Sequence, residues 1–496
     1  MIFRYVRKPS KPVKPANPKN RFHSYKPLRA PMRVCQKWHR LISQDATLWN
    51  EINLVKYDAA GTMVQRLLER SKAATLDVRF VHPGSMKDGD MKITSFLKAH
   101  ACRFGALGVI LRTHRTSMML PLLDVSMPRL ACLVVSRYAD TVSPVNVHEM
   151  SFKNFPALKA LALSGTVLRP KEPIPSLTHL HLVALARDSV LPLLDMLRAA
   201  PSLEVLDLRL VQLNTSGVEM SSLELPRLRV LRLTGGTWSS VVHFLLTHIV
   251  APNLAVADFS RVSLGHNIDN LIVYEYIPQT FFAERRNRLT RLSVSWHNNC
   301  FTATFASADS DDRIIIESSE KIYQSILDKP PLLDCLRNIE HACLDPGTDM
   351  ERQSQVFWLV VRLEHAKSLV VGNLAHGLRL LGSNPVFVSE LVSLTLDACY
   401  RQRDTDLVGS LAGLLQGRAK VAGPLPFLRL GAHNRELTKE LEQCVDDVKK
   451  HVDTLEIVRF TSSKDAFWPA WFNRRSRRGD DHAYWDDSDL THLGSY

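Results

Sequence analysis

Apolar residues return along the middle of this chain in one spacing, at the first, fourth and sixth positions of a phrase that opens just after a proline. It reads Pro156-Ala-Leu158-Lys-Ala-Leu161-Ala-Leu163, then Pro175-Ser-Leu177-Thr-His-Leu180-His-Leu182. Pro201-Ser-Leu203-Glu-Val-Leu206-Asp-Leu208 and Pro226-Arg-Leu228-Arg-Val-Leu231-Arg-Leu233 follow, with looser copies from Pro128 to Val135 and from Pro252 to Phe259. Successive prolines lie 28, 19, 26, 25 and 26 residues apart, room for one strand and one helix per copy. The closing alternation is that of a strand with one apolar face, and Val190–Ala200 and Ser239–Ile249 read as short apolar helices ending before a proline. One such unit cannot bury its own apolar face, so the copies are expected to stack into an α/β solenoid, a curved parallel sheet with helices on its outer side, over residues 60–265. The phrase then decays to Leu289–Val294, Leu336–Ile339, Leu391–Leu396 and Leu455–Val458, which predicts an irregular continuation over 266–460. Phe301–Glu317, with β-rich ends around a polar Ser307–Asp312 tip, predicts a hairpin.

The same alternation directs the residues between the leucines to a concave, water-facing side. One column is Ala162, His181, Asp207, Arg232, Asp258 and Ser293; a second is Ser164, Val183, Arg209, Thr234, Ser260 and Ser295. With neighbouring strands about 4.8 Å apart, Asp207, Arg232 and Asp258 are expected to form a ladder of alternating sign. Such a ladder either satisfies its own charges on a solvated surface or serves as a recognition stripe. His179, His181, Asp207, Arg209, Arg232 and Asp258 are the candidate partner-binding residues.

Ahead of the repeats, Val34-Cys35-Gln-Lys-Trp38-His-Arg-Leu41-Ile42 carries apolar residues at helical spacing, with Arg33, Lys37 and Arg40 on the other face. Leu48, Trp49, Ile52 and Leu54 follow. The pattern predicts a small helical cap over 31–56 with Trp38 and Trp49 as anchors, equally suited to sealing the first repeat and to binding a partner.

The stretch from Val34 to Leu54 resembles the second half of the F-box, V-C-x-x-W-x-x-(I/L/A) followed by P-x-L-W-x-x-I-x-L. Val64-Gln-Arg-Leu67-Leu68 through Leu76-Asp-Val78, together with the repeats, is similar to the F-box-like leucine-rich-repeat proteins expanded in mushroom-forming fungi. The resemblance covers residues 33–260 well. It implies a leucine-rich-repeat solenoid that captures a substrate protein, and a cap that docks on the Skp-type adaptor of a cullin-type ubiquitin ligase through Val34, Cys35, Trp38, Leu41, Leu48 and Trp49. The usual opening helix of an F-box, Leu-Pro-x-Glu and two hydrophobics, has no counterpart between Lys8 and Arg29. Either upstream coding sequence is lost or the module is degenerate, so adaptor binding is expected to be weak. The alternative function is a stand-alone repeat scaffold whose cap only seals.

Composition narrows the remaining classes. The net charge of +13 comes largely from residues 1–30, where nine Lys or Arg and five Pro stand without an acid, leaving +4 for the rest. That segment reads as a disordered tail, the one place where contact with nucleic acid is conceivable. Eight scattered cysteines form no CxxC pair, which indicates reduced thiols and a cytoplasmic or nuclear protein rather than a zinc site or disulfide framework. Neither a signal-peptide core nor an apolar run of membrane-spanning length is present. His179 and His181 lack a third metal ligand at usual spacing, and Asp309–Glu320 departs from a calcium loop at Ile314 where glycine is needed. With no nucleotide, nucleophile or zinc-protease motif, the expectation is a binding protein without enzymatic activity or cofactor. Arg474–Arg478 could serve nuclear import, dampened by Asp480, Asp481, Asp486, Asp487 and Asp489, in a loosely ordered tail over 461–496.

Overall fold

The computed structural model describes residues 32–54, 62–82, 98–111, 123–137, 146–209, 211–218, 222–234, 237, 239–260, 281, 285–297, 300–319, 330–345, 359–360, 362–372, 390–398, 407–432 and 445–459. The basic segment 1–30 and the segment 461–496, with its Arg and Asp clusters, lie outside the described residues. The chain is mixed α/β, dominated by parallel strands, and divides into two compact units. The first takes the described residues up to Leu231 with His248–Asn253; the second takes Arg232–Thr247 and those from Leu254 onward.

The first unit contains α1 (Gln36–Gln44), β1 (Glu51–Leu54), α2 (Thr62–Ser71), β2 (Leu76–His82), β3 (Phe104–Leu111), β4 (Cys132–Arg137) and β5 (Asn146–Met150). It continues through β6 (Ala160–Ser164), β7 (Thr166–Pro170), β8 (His179–Val183), β9 (Ala186–Ser189), α3 (Leu191–Ala199), β10 (Val205–Arg209), β11 (Gln212–Asn214) and β12 (Leu223–Glu224). The chain leaves this unit within β13 (Val230–Thr234), passes through α4 (Ser239–His248), and returns for β14 (Ile249–Val250). Here β1, β2, β3, β4, β6, β8 and β10 pair in that order, every pair parallel. Shorter parallel pairs join β5 to β7, β9 to β11 and β12 to β14.

The proline phrase explains this register. In each copy the proline sits second in a tight turn, where its fixed φ suits the backbone, and the turn closes from the first leucine: Leu158 N to Phe155 O at 3.0 Å, Leu177 N to Ile174 O at 3.1 Å, and likewise Leu203 to Ala200 and Leu228 to Leu225. Two successive amides at the start of each strand then donate to one carbonyl of the preceding strand: Thr178 and His179 to Lys159 O, Glu204 and Val205 to Thr178 O, Arg229 and Val230 to Glu204 O. Leu133, Leu161, Leu180 and Leu206 are thereby brought abreast, as are Val135, Leu163, Leu182 and Leu208, and all are buried. Between β2 and β3 the register shifts by one residue at Gly105, where a Cβ would stand 2.4 Å from Thr75 Cγ2. Glycine there allows the close approach of the two strands.

The second unit contains β15 (Val256–Ser260), β16 (Arg291–His297), β17 (Cys300–Ala306), β18 (Arg313–Ser319), α5 (Pro330–Arg337) and β19 (His341–Asp345). After these come β20 (Ser368–Gly372), β21 (Ser393–Ala398), α6 (Leu407–Ala422), β22 (Leu425–Ala432), α7 (Val445–Lys449) and β23 (Val452–Arg459). β16, β19, β20, β21, β22 and β23 pair in order, all parallel. The predicted hairpin forms as β17 and β18, closed by Ser307 N to Asp312 O at 2.9 Å. Rather than projecting, it joins the sheet: β17 pairs antiparallel with both β16 and β18, and β18 pairs parallel with β15. Among the described strands of this unit, only β17 is therefore reversed. The Leu336–Ile339 phrase falls at the end of α5 and just before β19, not on a strand; its two apolar residues are buried ahead of the inward pair Ala342 and Leu344. Both predicted repeat helices are present, as α3 and α4.

Candidate functional site

Six residues were expected to act together at the cap, and the structure divides them. α1 begins at the extended Cys35 and is closed by Asp45 N donating to Leu41 O at 3.1 Å. The next turn, Ala46–Trp49, is 3₁₀, capped by the Asp45 carboxylate, which accepts from Thr47 N at 3.0 Å and Thr47 Oγ1 at 2.7 Å. This turn delivers Leu48 and Trp49 inward, 3% and 2% exposed, alongside buried Ile42 and Ile52. The indole Nε1 of Trp49 donates to Ile42 O at 2.7 Å, tying α1 to the unit. The Arg70 guanidinium from α2 lies over the indole, 4.3 Å from the ring centroid, a favourable cation–π contact. Arg103, just ahead of β3, clamps the end of α2 through Nη2 to Ser71 Oγ at 2.7 Å and Nε to Ala74 O at 3.3 Å. Leu48 and Trp49 are thus packing residues of the first unit.

On the far side of α1 the opposite holds. Val34 is 62% exposed, Trp38 39% and Leu41 49%, and Cys35 also faces solvent. Within α1 itself only Ile42 is buried. Large apolar side chains usually leave water on folding, so two of them on one short exposed helix, with a third in the turn before it, mark a surface suited to association.

The strand columns correct a second expectation. Ala162, Ser164, His181, Val183, Asp207, Asp258, Ser260 and Ser295 are buried, not water-facing, whereas His179, Arg209, Arg232, Thr234 and Ser293 are half-buried. His181 and Asp207, 2% and 5% exposed, face one another in register on β8 and β10, with His181 Nδ1 3.2 Å from Asp207 Oδ2. Arg209, two residues on along β10 and so on the same face, reaches back to donate from Nε to Oδ1 at 3.2 Å and from Nη2 to Oδ2 at 3.0 Å. Burial alone would raise the Asp207 pKa, but the charges and hydrogen bonds of His181 and Arg209 outweigh it and hold the carboxyl well below the ordinary range. Within the first unit the Asp207 carboxylate is thus engaged by His181 and Arg209. Bidentate contact with an arginine on the same strand is short and preorganised. Asp258 and Arg232 belong to the second unit, where the Asp258 carboxylate accepts from the backbone N–H of Ser260 at 3.0 Å and from its hydroxyl.

The remaining candidate chemistry is sparse. His179 Nδ1 lies 2.8 Å from Thr178 Oγ1, and burial lowers the His179 pKa despite the opposing charge of Glu204. Burial pushes the Cys335 thiol up to about 12, which makes it a poor nucleophile. No group of three or more His, Cys, Asp or Glu is placed to hold a metal ion among the described residues. No described helix is long and apolar enough to cross a membrane.

Sequence reasoning missed Arg70, Arg103 and the intrastrand role of Arg209. The first two lie 21 and more residues from what they touch, at no recognisable spacing. Arg209 was legible in principle, as the same-face neighbour of Asp207. No family model matches the chain, and no curated protein matches it either.

Proposed function

We propose that this protein is a recognition subunit built on a leucine-rich-repeat solenoid, with α1 docking a Skp-type adaptor of a cullin-type ubiquitin ligase and the repeats capturing a target protein. The observation that carries the reading is the exposure of Trp38 and Leu41 on α1 and of Val34 in the turn before it, the part of the chain that resembles the adaptor-binding half of an F-box. The recurring proline turn and the abreast leucine rows of β4, β6, β8 and β10 support the repeat architecture. Binding rather than catalysis is the proposed role, in the cytoplasm or nucleus. On the polar side of the first unit's strands, half-buried His179 and Arg209 are the residues a target would reach; buried Asp207, itself met by His181, holds Arg209 in place.

The burial of Leu48 and Trp49 favours a second reading, in which the cap only seals a stand-alone scaffold. Capture of a purified Skp-type adaptor by the full chain separates the two. A receptor retains adaptor, weakly because α1 is a single short helix, and loses it on Trp38→Ala or Leu41→Ala with an unchanged melting temperature. Failure of the unaltered chain to retain adaptor at any concentration leaves the scaffold.

A further inference from the structure

Around α1, at 100° per residue, the side chains run in the order Ile42, Trp38, Leu41, Lys37, Arg40. Ile42 is buried, and its carbonyl is held by Trp49, which sets the rotation of the helix on the unit. The exposed Trp38 and Leu41 therefore lie between the body of the unit and a cationic row, Lys37 and Arg40, both exposed. The turn before the helix adds one residue of each kind, Val34 and Arg33, again exposed.

No acid occurs between Met32 and Gln44. The first to follow, Asp45, is engaged by Thr47. Among the described residues neither Lys37 nor Arg40 belongs to an ion pair. The helix has no acid in its first turn and no side-chain hydrogen bond at its N-cap, so Lys37 stands near the positive end of the helix dipole with no acid of that turn beside it.

A surface that covers Trp38 and Leu41 must pass over Lys37 and Arg40 on the side away from the unit. Drawing these cations into an interface without opposite charge would cost more than the apolar contact returns. Resting on the reading of α1 as a docking helix, we infer that the protein surface receiving it has an apolar floor bordered on one side by acidic side chains. This asymmetry fixes the direction in which α1 is seated, and it makes association dependent on salt. The apolar area of two helical side chains and Val34 is too small to hold a bilayer by itself, which favours a protein groove.

The test is a titration of the full chain with a fluorescently labelled Skp-type adaptor at about 50 mM and about 500 mM salt, where charge screening differs severalfold. The double variant Lys37→Glu/Arg40→Glu is expected to bind about tenfold or more weakly at low salt, with the difference from the unaltered chain closing at high salt. Trp38→Ala is expected to weaken binding equally at both. Circular dichroism melts should be unchanged for both, since the altered side chains are exposed. Adaptor binding that ignores the charge reversal at low salt overturns the acidic border and leaves the docking helix standing. Absence of adaptor binding by the unaltered chain overturns the docking reading and takes this inference with it. Sedimentation of the unaltered chain, but not the reversed one, with phosphatidylserine-containing vesicles would assign the cationic row to a membrane and also overturn it.

Discussion

The helix α1 and the facing strands β8 and β10 contrast in an unexpected sense. On α1 and the turn before it a tryptophan, a leucine and a valine are exposed, while on the strands a histidine and an aspartate are buried. Sequence pattern alone predicts the reverse for the strand residues and leaves the cap undecided. The contrast separates two kinds of site. His181, Asp207 and Arg209 are joined by close polar contacts, so the enclosure of His181 and Asp207 contributes to defining the local fold. The apolar face of α1 is exposed, so it is a place where association has much to gain.

The sharpest way to break the comparison lies within the cap, where two tryptophans stand eleven positions apart in sequence. Trp49→Ala removes a buried indole, its bond to Ile42 and its contact with Arg70, and is expected to cost about 3–5 kcal/mol in urea unfolding. Equal effects at Trp38 and Trp49 would erase the distinction between packing and docking, since Trp38→Ala should cost less than about 1 kcal/mol.

Next comes the buried pair. Asp207→Ala leaves His181 and Arg209 without their shared acceptor and is expected to cost about 3 kcal/mol. Because apolar residues of similar volume often replace a buried ion pair at little cost, His181→Leu/Asp207→Leu should be less destabilising than the single change. A double variant that is the more damaged of the two would show that the pair itself, rather than its desolvation, carries the stability.

The smallest expected effect is on pH dependence. The Asp207 carboxyl is held well below the ordinary range in the folded state, so on acidification the unfolded chain takes up the proton first, near pH ~3.9. Its contribution is therefore fully present above about pH 4 and is lost as pH falls from there toward the folded value. Melts of the unaltered chain and Asp207→Asn between pH 6 and pH 3 should draw closer toward the acid end. Parallel curves would mean that the carboxyl titrates alike in both states.

Much of the strand framework was legible. The phrases at Leu161, Leu180, Leu206, Leu292 and Leu394 all fall on strands, and the hairpin at Ser307–Asp312 closes as expected. Some strands were overlooked despite carrying the same signal: Leu425-Pro-Phe-Leu428-Arg-Leu430 is the full phrase without its leading proline, and it forms β22. β3 and β20 place Leu107 with Val109 and Leu369 with Val371 at the same inward positions, but valine and phenylalanine blur the leucine pattern. The incorporation of β17 between β16 and β18 was not legible, since a hairpin's local sequence does not reveal which strands flank it.

Spacing along the chain was enough to settle which leucines turn inward and where each strand starts, because turns, strand alternation and the helix period are local and repeat with the residues that encode them. Folding in three dimensions decided which tryptophan of the cap is covered and which polar residues are enclosed. Those outcomes rest on Arg70 reaching Trp49 and on β8 meeting β10, contacts between residues far apart in the sequence, and on Arg209 turning back to Asp207 rather than outward. Burial is a property of the assembled neighbourhood, and no single stretch of chain contains it.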